Sequence, residues 1–385
     1  SVYKLGFCLI GDPAVKIAYP EFGMKVTTVN GQSVDGNSIS FKALEKITVE
    51  GEVLDASGQL VTDFTGIVNP TVKDSKVTVT CLKNSNKDDS PAFTFTDYPN
   101  TIFIGNDSVR NGKFSFTFTV PKDISYSNLQ GKMNLYAVDT ESGNEAQGNF
   151  DNFIVGGTSD TAETDTIGPE IRALYLNDTT FVDGGQVNTT PYFVAELWDK
   201  SGVNITGSSV GHDMMLVIDE STVLSYNLNS YYELLPGEDG TGIVKFPIPA
   251  LEPGKHTAEF WVWDILNNST VRTFTFEVVE GLKPFLFDVI ATPGIAREQV
   301  TFHLMHNRPE SRMRVGIMVY DLAGRQLWKH EESGTSGLFE NYTVSWDLTS
   351  GGARMRPGVY IYRAAISTDN SKDATKARKF IILGE

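Results

Sequence analysis

Leu197-Trp198-Asp199-Lys200-Ser201-Gly202 is the clearest copy of a phrase that recurs along this chain of 385 residues. In each copy an apolar or aromatic run ends in Asp, and a turn of small residues follows. The Asp carboxylate accepts backbone N–H groups of such a turn, and Gly or Asn takes the positive φ. The phrase therefore indicates a strand that stops at a turn. The other copies contain Asp55, Asp139, Asp264 and Asp321.

The sequence segments between these phrases alternate between apolar and polar residues. In Lys113–Pro121, Phe114, Phe116 and Phe118 share one face, which is typical of a half-buried antiparallel strand. Such strands recur with Gly, Asn and Asp turns between them, and long helical patterns are absent. The predicted fold class is all-β, with tandem Ig-like antiparallel β-sandwich modules.

Charge divides the chain into unequal parts. Residues 1–157 hold 13 basic and 18 acidic residues, residues 158–280 hold 5 and 19, and residues 281–385 hold 14 and 11. The net charges are −5, −14 and +3, within a total of −16. This shift predicts a first module at 23–157, a second at 158–280 and a third at 281–385, after a strand and exit linker at 1–22. No basic stripe is present, so a nucleic-acid partner is not expected.

The alternation also predicts individual strands in the two later modules. In the second module they are Ile171–Leu176, Tyr192–Trp198, Met214–Ile218, Ile243–Ile248, Thr257–Trp263 and Val271–Val279. In the third they are Gln299–Leu304, Met313–Tyr320, Gln326–Lys329, Tyr342–Asp347, Gly358–Ile366 and Ala377–Leu383. Trp198, Trp261 and Trp263 are expected to anchor cores or cap turns.

No nucleophile and base pair can be identified from the sequence. Cys8 and Cys81 lie in apolar or β-branched runs, where a free thiol is expected to be buried and inert, although a disulfide between the two is also possible. His303 and His306 are three apart on a predicted strand, so they point to opposite faces and do not share a metal. His212 is expected to be a loop residue bonded to backbone. We therefore predict no catalytic residue in this chain.

Calcium is the one cofactor that the acidic turns suggest. Asp199, Asp213 and Asp264, together with Asp219, end or flank strands of the second module, and Ca²⁺ takes several oxygen ligands. The spacing lacks an EF-hand pattern. The alternative is that each Asp only caps its own turn, and both interpretations remain open.

The chain has no apolar run of about 18 residues, so no membrane span is predicted. It also has neither a signal peptide nor an initiating Met. We interpret it as a piece of a longer polypeptide.

Several phrases resemble a known family. Gly11-Asp12-Pro13-Ala14 resembles the end of the caspase-like domain of gingipain-type cysteine peptidases. In the second module, Phe181-Val182-Asp183-Gly184-Gly185, Asp199–Asn204 and Trp263–Ser269 resemble the sortase branch of that family, which serves type IX secretion. In the third, Val319–Gly324 and Pro357–Tyr362 resemble the C-terminal signal domain of type IX substrates.

The resemblance implies a cell-surface cysteine endopeptidase, exported through the periplasm. It would remove C-terminal signals from secreted cargo and pass the new C-terminus to an anionic lipopolysaccharide. The family's catalytic His and Cys belong to blocks upstream of Gly11-Asp12-Pro13-Ala14, so none is carried over. The modules are expected to scaffold the peptidase, which binds the protein cargo. The signal-like third module is expected to dock on an outer-membrane β-barrel partner without inserting in the membrane.

Two other hypotheses remain. The chain could be the tail of a gingipain-like secreted cargo peptidase, or a surface adhesin built of Ig-like modules. Sandwich folds serve many functions, so fold alone does not decide between them.

Overall fold

The computed structural model describes residues 19–82, 91–160, 165–207, 211–235, 240–368 and 370–384. The predicted all-β class is confirmed: the described residues form 33 strands and a single 3₁₀ turn at Asn229–Tyr231. Most of the predicted strand and exit linker at 1–22, with Cys8, lies outside the described residues. In the described part of the chain, no helix has the length and apolarity to cross a bilayer.

The first module contains a large sheet, a three-stranded sheet and a separate two-stranded pair formed by its sixth and seventh strands. Its strands are β1 Phe22–Val29, β2 Gln32–Ser33, β3 Ile39–Ala43, β4 Lys46–Leu54, β5 Gly66–Lys73, β6 Val77–Thr80, β7 Thr94–Asp97, β8 Thr101–Ile104, β9 Asp107–Arg110, β10 Lys113–Thr119, β11 Leu129–Gln130, β12 Lys132–Asp139, β13 Glu145–Phe150 and β14 Phe153–Thr158. The large sheet runs β12-β13-β1-β4-β10-β9-β5-β8, and β5 also pairs with β12, so the sheet closes on itself. A smaller sheet, β11-β14-β3, packs with it around one core.

The alternation in β10 has the predicted consequence. Phe114, Phe116 and Phe118 are buried and stack along one face, with ring centroids 6.3 Å apart between neighbours. Phe41 packs edge-on against Phe118 and stacks on Phe153, which ties the small sheet to the large one. The period of two therefore sets which side chains form this core.

The second module is a sandwich of a four-stranded and a five-stranded sheet. Its strands are β15 Glu170–Leu176, β16 Gln186–Val187, β17 Tyr192–Trp198, β18 Met215–Ile218, β19 Ser225–Asn227, β20 Tyr232–Leu234, β21 Thr241–Pro247, β22 Gly254–Trp263 and β23 Ser269–Val278. The sheets run β15-β17-β21-β20 and β16-β23-β22-β18-β19. Phe193, Phe260 and Phe276 are fully buried between them.

The third module repeats this plan with a three-stranded and a five-stranded sheet, and adds a two-stranded hairpin near residue 350. Its strands are β24 Leu286–Thr292, β25 Ile295–Ala296, β26 Val300–His306, β27 Met313–Tyr320, β28 Gln326–Gly334, β29 Tyr342–Trp346, β30 Thr349–Ser350, β31 Ala353–Arg354, β32 Gly358–Ser367 and β33 Ala374–Ile382. The sheets run β24-β26-β29 and β25-β33-β32-β27-β28. Phe302, Tyr362 and Phe380 meet in the core.

The link between the second and third modules is held by a buried arginine. The Arg308 side chain is 1% exposed and donates hydrogen bonds to the backbone carbonyls of Leu282 and Lys283, at 3.1 and 3.4 Å. Leu338 of the third module also packs against Val194 and Ile243 of the second. These contacts fix the link at residues 281–284, which has the Gly and Pro composition of a hinge.

One histidine of the third module gives it a pH-dependent stability. Nδ1 of His306 accepts a hydrogen bond from the Arg308 N–H at 3.0 Å, which leaves the proton on Nε2, facing the Ser336 hydroxyl at 2.9 Å. Burial, with the Arg308 charge, lowers the pKa of His306 to about 4.

We predict that this module loses stability as the pH falls from about 6.5 to about 4. Over that range the histidine of the unfolded chain binds a proton while His306 of the folded chain stays neutral, which costs about 3 kcal/mol of stability by pH 4. The His306→Asn variant keeps an acceptor oxygen near the Nδ1 position and does not titrate, so its melting temperature should vary less with pH. Thermal unfolding from pH 7 to pH 4 checks this, with His303→Asn on the same strand as control. Equal slopes for wild type and His306→Asn would contradict the prediction.

Candidate functional site

All five Asp turns have the geometry that the sequence predicts. In each, Oδ1 accepts two backbone N–H groups within four residues of the Asp, at 2.7–3.0 Å. Backbone hydrogen bonds lower the pKa of Asp321, and that of Asp139 to about 2. The pKa of Asp55 is lowered first by the Ser57 hydroxyl and then by the Gln59 N–H.

Two of the five turns meet at one end of the second module. Asp199 follows β17 and Asp264 follows β22, and an isolated bridge between Val203 and Asp264 joins the two turns. Asp165 comes beside them from the segment before β15. One carboxylate oxygen from each of Asp165, Asp199 and Asp264 lies within 4.8 Å of the other two, and Asp199 and Asp264 are buried. We call these three residues the acidic trio.

The electrostatics of the acidic trio differ from those of the other turns. Burial raises the pKa of Asp199 to about 6 against the two backbone hydrogen bonds that lower it, and the charges of Asp264 and Asp165 raise it further. Burial also raises the pKa of Asp264. Asp165 is less buried, and its hydrogen bonds, foremost from the Ile167 N–H, lower its pKa. The trio thus concentrates negative charge that a proton or a cation would neutralise.

Only part of the predicted cation set lies in this cluster. Asp199 and Asp264 are members, whereas Asp213 accepts a hydrogen bond from Asn229 at 2.8 Å and Asp219 binds His256 at 2.6 Å. Asp165 was not predicted. The sequence places it in an acidic linker, and no local pattern distinguishes it from its neighbours.

The first module contributes a buried carboxylate to the same end of the second. Asp123 is 9% exposed, and its carboxylate accepts hydrogen bonds from the Asn267 and Asn204 side chains at 2.8 and 3.4 Å. His212 Nδ1 lies 2.6 Å from Asp123 Oδ2. The Lys122 N–H donates to the Ile265 carbonyl at 2.8 Å. This group of contacts, which we call the junction, joins the two modules.

The junction corrects the expectation for His212. It is bonded to a carboxylate of another module, not to backbone, and its ring packs on Trp263 with centroids 4.5 Å apart. Trp261 and Trp263 are also not core anchors, because both lie half-exposed on the outer face of β22. Phe260 and Val262, which alternate with the two tryptophans along β22, fill the core instead.

A cleft of about 1010 Å³ opens between the two modules beside the junction. Phe116 and Phe118 line it from the first module, and Trp198 and Tyr232 from the second. The Asn106 side chain donates across it to the Leu234 carbonyl at 2.9 Å, and Ile104 packs against the second core. Polar and apolar contacts therefore bridge the modules at more than one point.

We predict that Asp123→Ala uncouples the first two modules. The substitution leaves buried amide groups of Asn204 and Asn267 without an acceptor, at a cost of about 2–4 kcal/mol. Differential scanning calorimetry should show their coupled transition split into two. Asp35→Ala, which removes an exposed carboxylate of the first module, should leave the profile unchanged. An unsplit Asp123→Ala profile at the wild-type temperature would refute the coupling.

Comparison with solved structures finds a neighbour of substantial sequence identity. It is dimeric latent PorU from Porphyromonas gingivalis, at 37% identity over 98% of this chain and 35% of that chain, with a TM-score of 0.43. The chain thus spans about a third of that protein.

Other neighbours are far more distant in sequence. The tetra-tandem repeat of a large adhesion protein is 14% identical over 95% of this chain and 74% of its own, with a TM-score of 0.20. The FN1–FN3 domains of chicken CNTN1 are 7% identical over 94% and 98%, also with a TM-score of 0.20. No protein-family profile and no curated protein matches the chain.

Proposed function

We propose that this chain is the non-catalytic C-terminal region of a cell-surface gingipain-type cysteine endopeptidase, the sortase that processes C-terminal signals of type IX secretion cargo. Its modules scaffold the peptidase domain and dock it at the outer membrane. The partner at the membrane is a β-barrel protein of the secretion machinery.

The observation that carries the scaffolding role is the junction. A scaffold must hold its modules in fixed positions relative to one another, which a flexible linker does not do. Asp123 is buried against three side chains of the second module, and Arg308 fixes the next link in the chain. Both links are therefore tied by buried, charge-assisted hydrogen bonds, which are the stronger kind.

The choice of parent is supported by the phrases that resemble the sortase branch. Two of them, Asp199–Asn204 and Trp263–Ser269, form the turns that build the acidic trio and the junction. These phrases thus contain residues that form the contact between the first two modules.

Deletion and complementation of the full-length parent test this proposal. Deletion should leave cargo with uncleaved C-terminal signals, as detected by mass spectrometry of the cell surface. Complementation with Asp123→Ala should restore processing less well than Asp35→Ala, because the peptidase is then held by an uncoupled scaffold. Normal cargo processing in the deletion strain would overturn the sortase assignment. The purified chain should not cleave cargo C-terminal peptides.

We also propose that the acidic trio binds Ca²⁺ as a structural cation. Three carboxylates with oxygens within 4.8 Å of one another are ligands of the type that Ca²⁺ prefers, and carbonyls and water would complete its shell. A bound cation would favour the ionised form of Asp199 and Asp264, which burial and, to a smaller degree, the neighbouring carboxylates disfavour. It would also stiffen the two turns that contact the first module.

Calcium should therefore raise the melting temperature of the second module by several degrees, since a ligand that binds only the folded state stabilises it. Asp199→Asn keeps the acceptor for the Ser201 and Gly202 N–H groups but removes a charge, and it should abolish most of the shift. Asp213→Asn is the matched control and should retain it. Identical melting curves in calcium and in chelator would contradict the proposal.

A further inference from the structure

The wall of the first module is incomplete between β8 and β10. The large sheet closes into a ring through the pairing of β5 with β12, and β9 completes the ring by joining β5 to β10. However, β9 pairs with β10 only at Lys113 and Phe114. Farther along β5, β8 replaces β9 and pairs with no other described strand. Beyond Phe114, β10 therefore has one edge on β4 and one edge that no strand in the described part of the chain covers.

The ladder between β10 and β4 shows which backbone groups face this open edge. The Val53 N–H donates to the Gly112 carbonyl at 2.7 Å, and the Val120 N–H donates to the Glu45 carbonyl at 2.9 Å. Because hydrogen-bonded partners alternate in an antiparallel ladder, the even-numbered residues of β10 bond β4 and the odd-numbered ones turn their N–H and C=O groups the other way. Beyond Lys113, the odd-numbered residues are Ser115, Thr117 and Thr119. An edge of this kind is a template for a further strand.

The opening between β8 and β10 has the width of one strand. Nearly all Cα atoms of β8 lie more than 8 Å from those of β10, and a strand seated between two others places them about 10 Å apart. On the β8 side, the Gly105 N–H donates to the Pro70 carbonyl of β5 at 3.2 Å, so the same alternation turns the backbone groups of Ile104 toward the opening. We call this opening, between Thr101–Ile104 and Ser115–Thr119, the strand gap.

Aromatic rings line the inner side of the strand gap. The ring centroid of Phe103 on β8 lies 4.7 Å from that of Phe118 and 6.1 Å from that of Phe116, and both pairs are stacked. All three side chains line the cleft between the first two modules, into which the strand gap opens. Successive side chains of a strand point to opposite faces. Every second side chain of a strand seated in the gap would therefore pack on these rings.

The outer side of the strand gap carries basic residues at both ends. Register pairs Arg110 with Lys113 at one end of β10 and Lys46 with Thr119 at the other. Arg110 and Lys46 line the cleft, are exposed and form no ion pair with another described residue. The acidic residues of the described lining are Asp107 and Asp199, whose carboxylates already accept backbone N–H groups of their own turns. Outward side chains of a seated strand would therefore face basic groups, and acidic side chains fit there best.

We propose that the strand gap binds an extended peptide of a partner protein, about seven residues long, in which apolar residues alternate with acidic ones. The peptide lies as a strand between β8 and β10 and forms backbone hydrogen bonds with both, which completes the wall of the module. Its apolar side chains pack on the aromatic rings, and its acidic side chains face Arg110 and Lys46. Seven residues at about 3.4 Å each reach from one basic residue to the other.

Fluorescence anisotropy with a labelled synthetic peptide tests the proposal. The probe is acetyl-Glu-Val-Glu-Val-Glu-Val-Glu-amide, and calcium is chelated so that a cation at the acidic trio plays no part. We expect a dissociation constant in the micromolar range. The same peptide N-methylated at its Val residues keeps every side chain and loses backbone donors, so it should bind at least about tenfold more weakly. A peptide with Lys in place of each Glu should not bind at the same concentrations.

Variants of the chain test the two sides of the contact. Thr117→Pro removes an N–H that faces the gap and bonds no partner on β4, and it should weaken binding by about tenfold. Lys46→Glu with Arg110→Glu should weaken binding at least as much, because it reverses the charge at both ends of the gap. The matched control, Lys42→Glu with Lys379→Glu, changes the net charge equally at exposed lysines outside the cleft. It should bind the probe like wild type.

Hydrogen–deuterium exchange locates the bound peptide. The acidic probe should slow amide exchange in the fragments that contain β8 and β10 and leave the third module unchanged. If Thr117→Pro lowers the melting temperature, the N-methylated probe tests the backbone contacts on the unaltered chain. No binding of the acidic probe, equal binding of the N-methylated or the basic probe, or protection confined to other strands would each overturn the proposal. None of these results bears on peptidase processing by the parent.

Discussion

An aspartate oxygen that accepts two backbone N–H groups is the interaction on which this fold depends. It ends strands in all three modules and turns the chain back toward the next strand. In Asp139 and Asp321 these hydrogen bonds dominate and lower the carboxyl pKa, and in Asp55 they do so together with the Ser57 hydroxyl. In Asp199 and Asp264 the same hydrogen bonds are outweighed by burial, which raises the pKa. The same Asp turn thus has a lowered or a raised carboxyl pKa, depending on how deeply the sandwich buries it.

The buried pair is placed where the second module meets the first. The turn after Asp264 supplies Ile265 and Asn267 to the junction, and the bridge to Val203 brings Asn204 beside them. A change in charge at the acidic trio therefore acts on the same turn that contributes residues to the junction. This links a cation or a proton at the trio to the relative position of two modules, without any contact between the trio and Asp123 being required.

Local pattern predicted the strands well and the contacts between distant segments poorly. Tyr192–Trp198 and Met313–Tyr320 were predicted to the residue, because alternation is a property of neighbouring positions. The Asp123–His212 contact joins positions 89 apart, and the approach of Asp165 to the trio depends on how the linker folds. The closure of the first sheet through β5 and β12 is likewise set by long-range pairing. Trp261 was expected to anchor a core or cap a turn, but register sends it outward on β22.

Strand register also decides which side chains lie on the outer faces of the second and third modules. A one-residue slip in β32 would exchange Tyr360 and Tyr362 for Val359, Ile361 and Arg363, and would bury a charge. Register is therefore strongly specified, and the outward-facing residues are not needed to fill the core. Folding alone would accept polar residues at those positions, as antiparallel sheets with one wet face usually do. Ile361 and Trp261 stand there instead, so the outer face of each sheet keeps a partly buried apolar surface that packing of the core does not require.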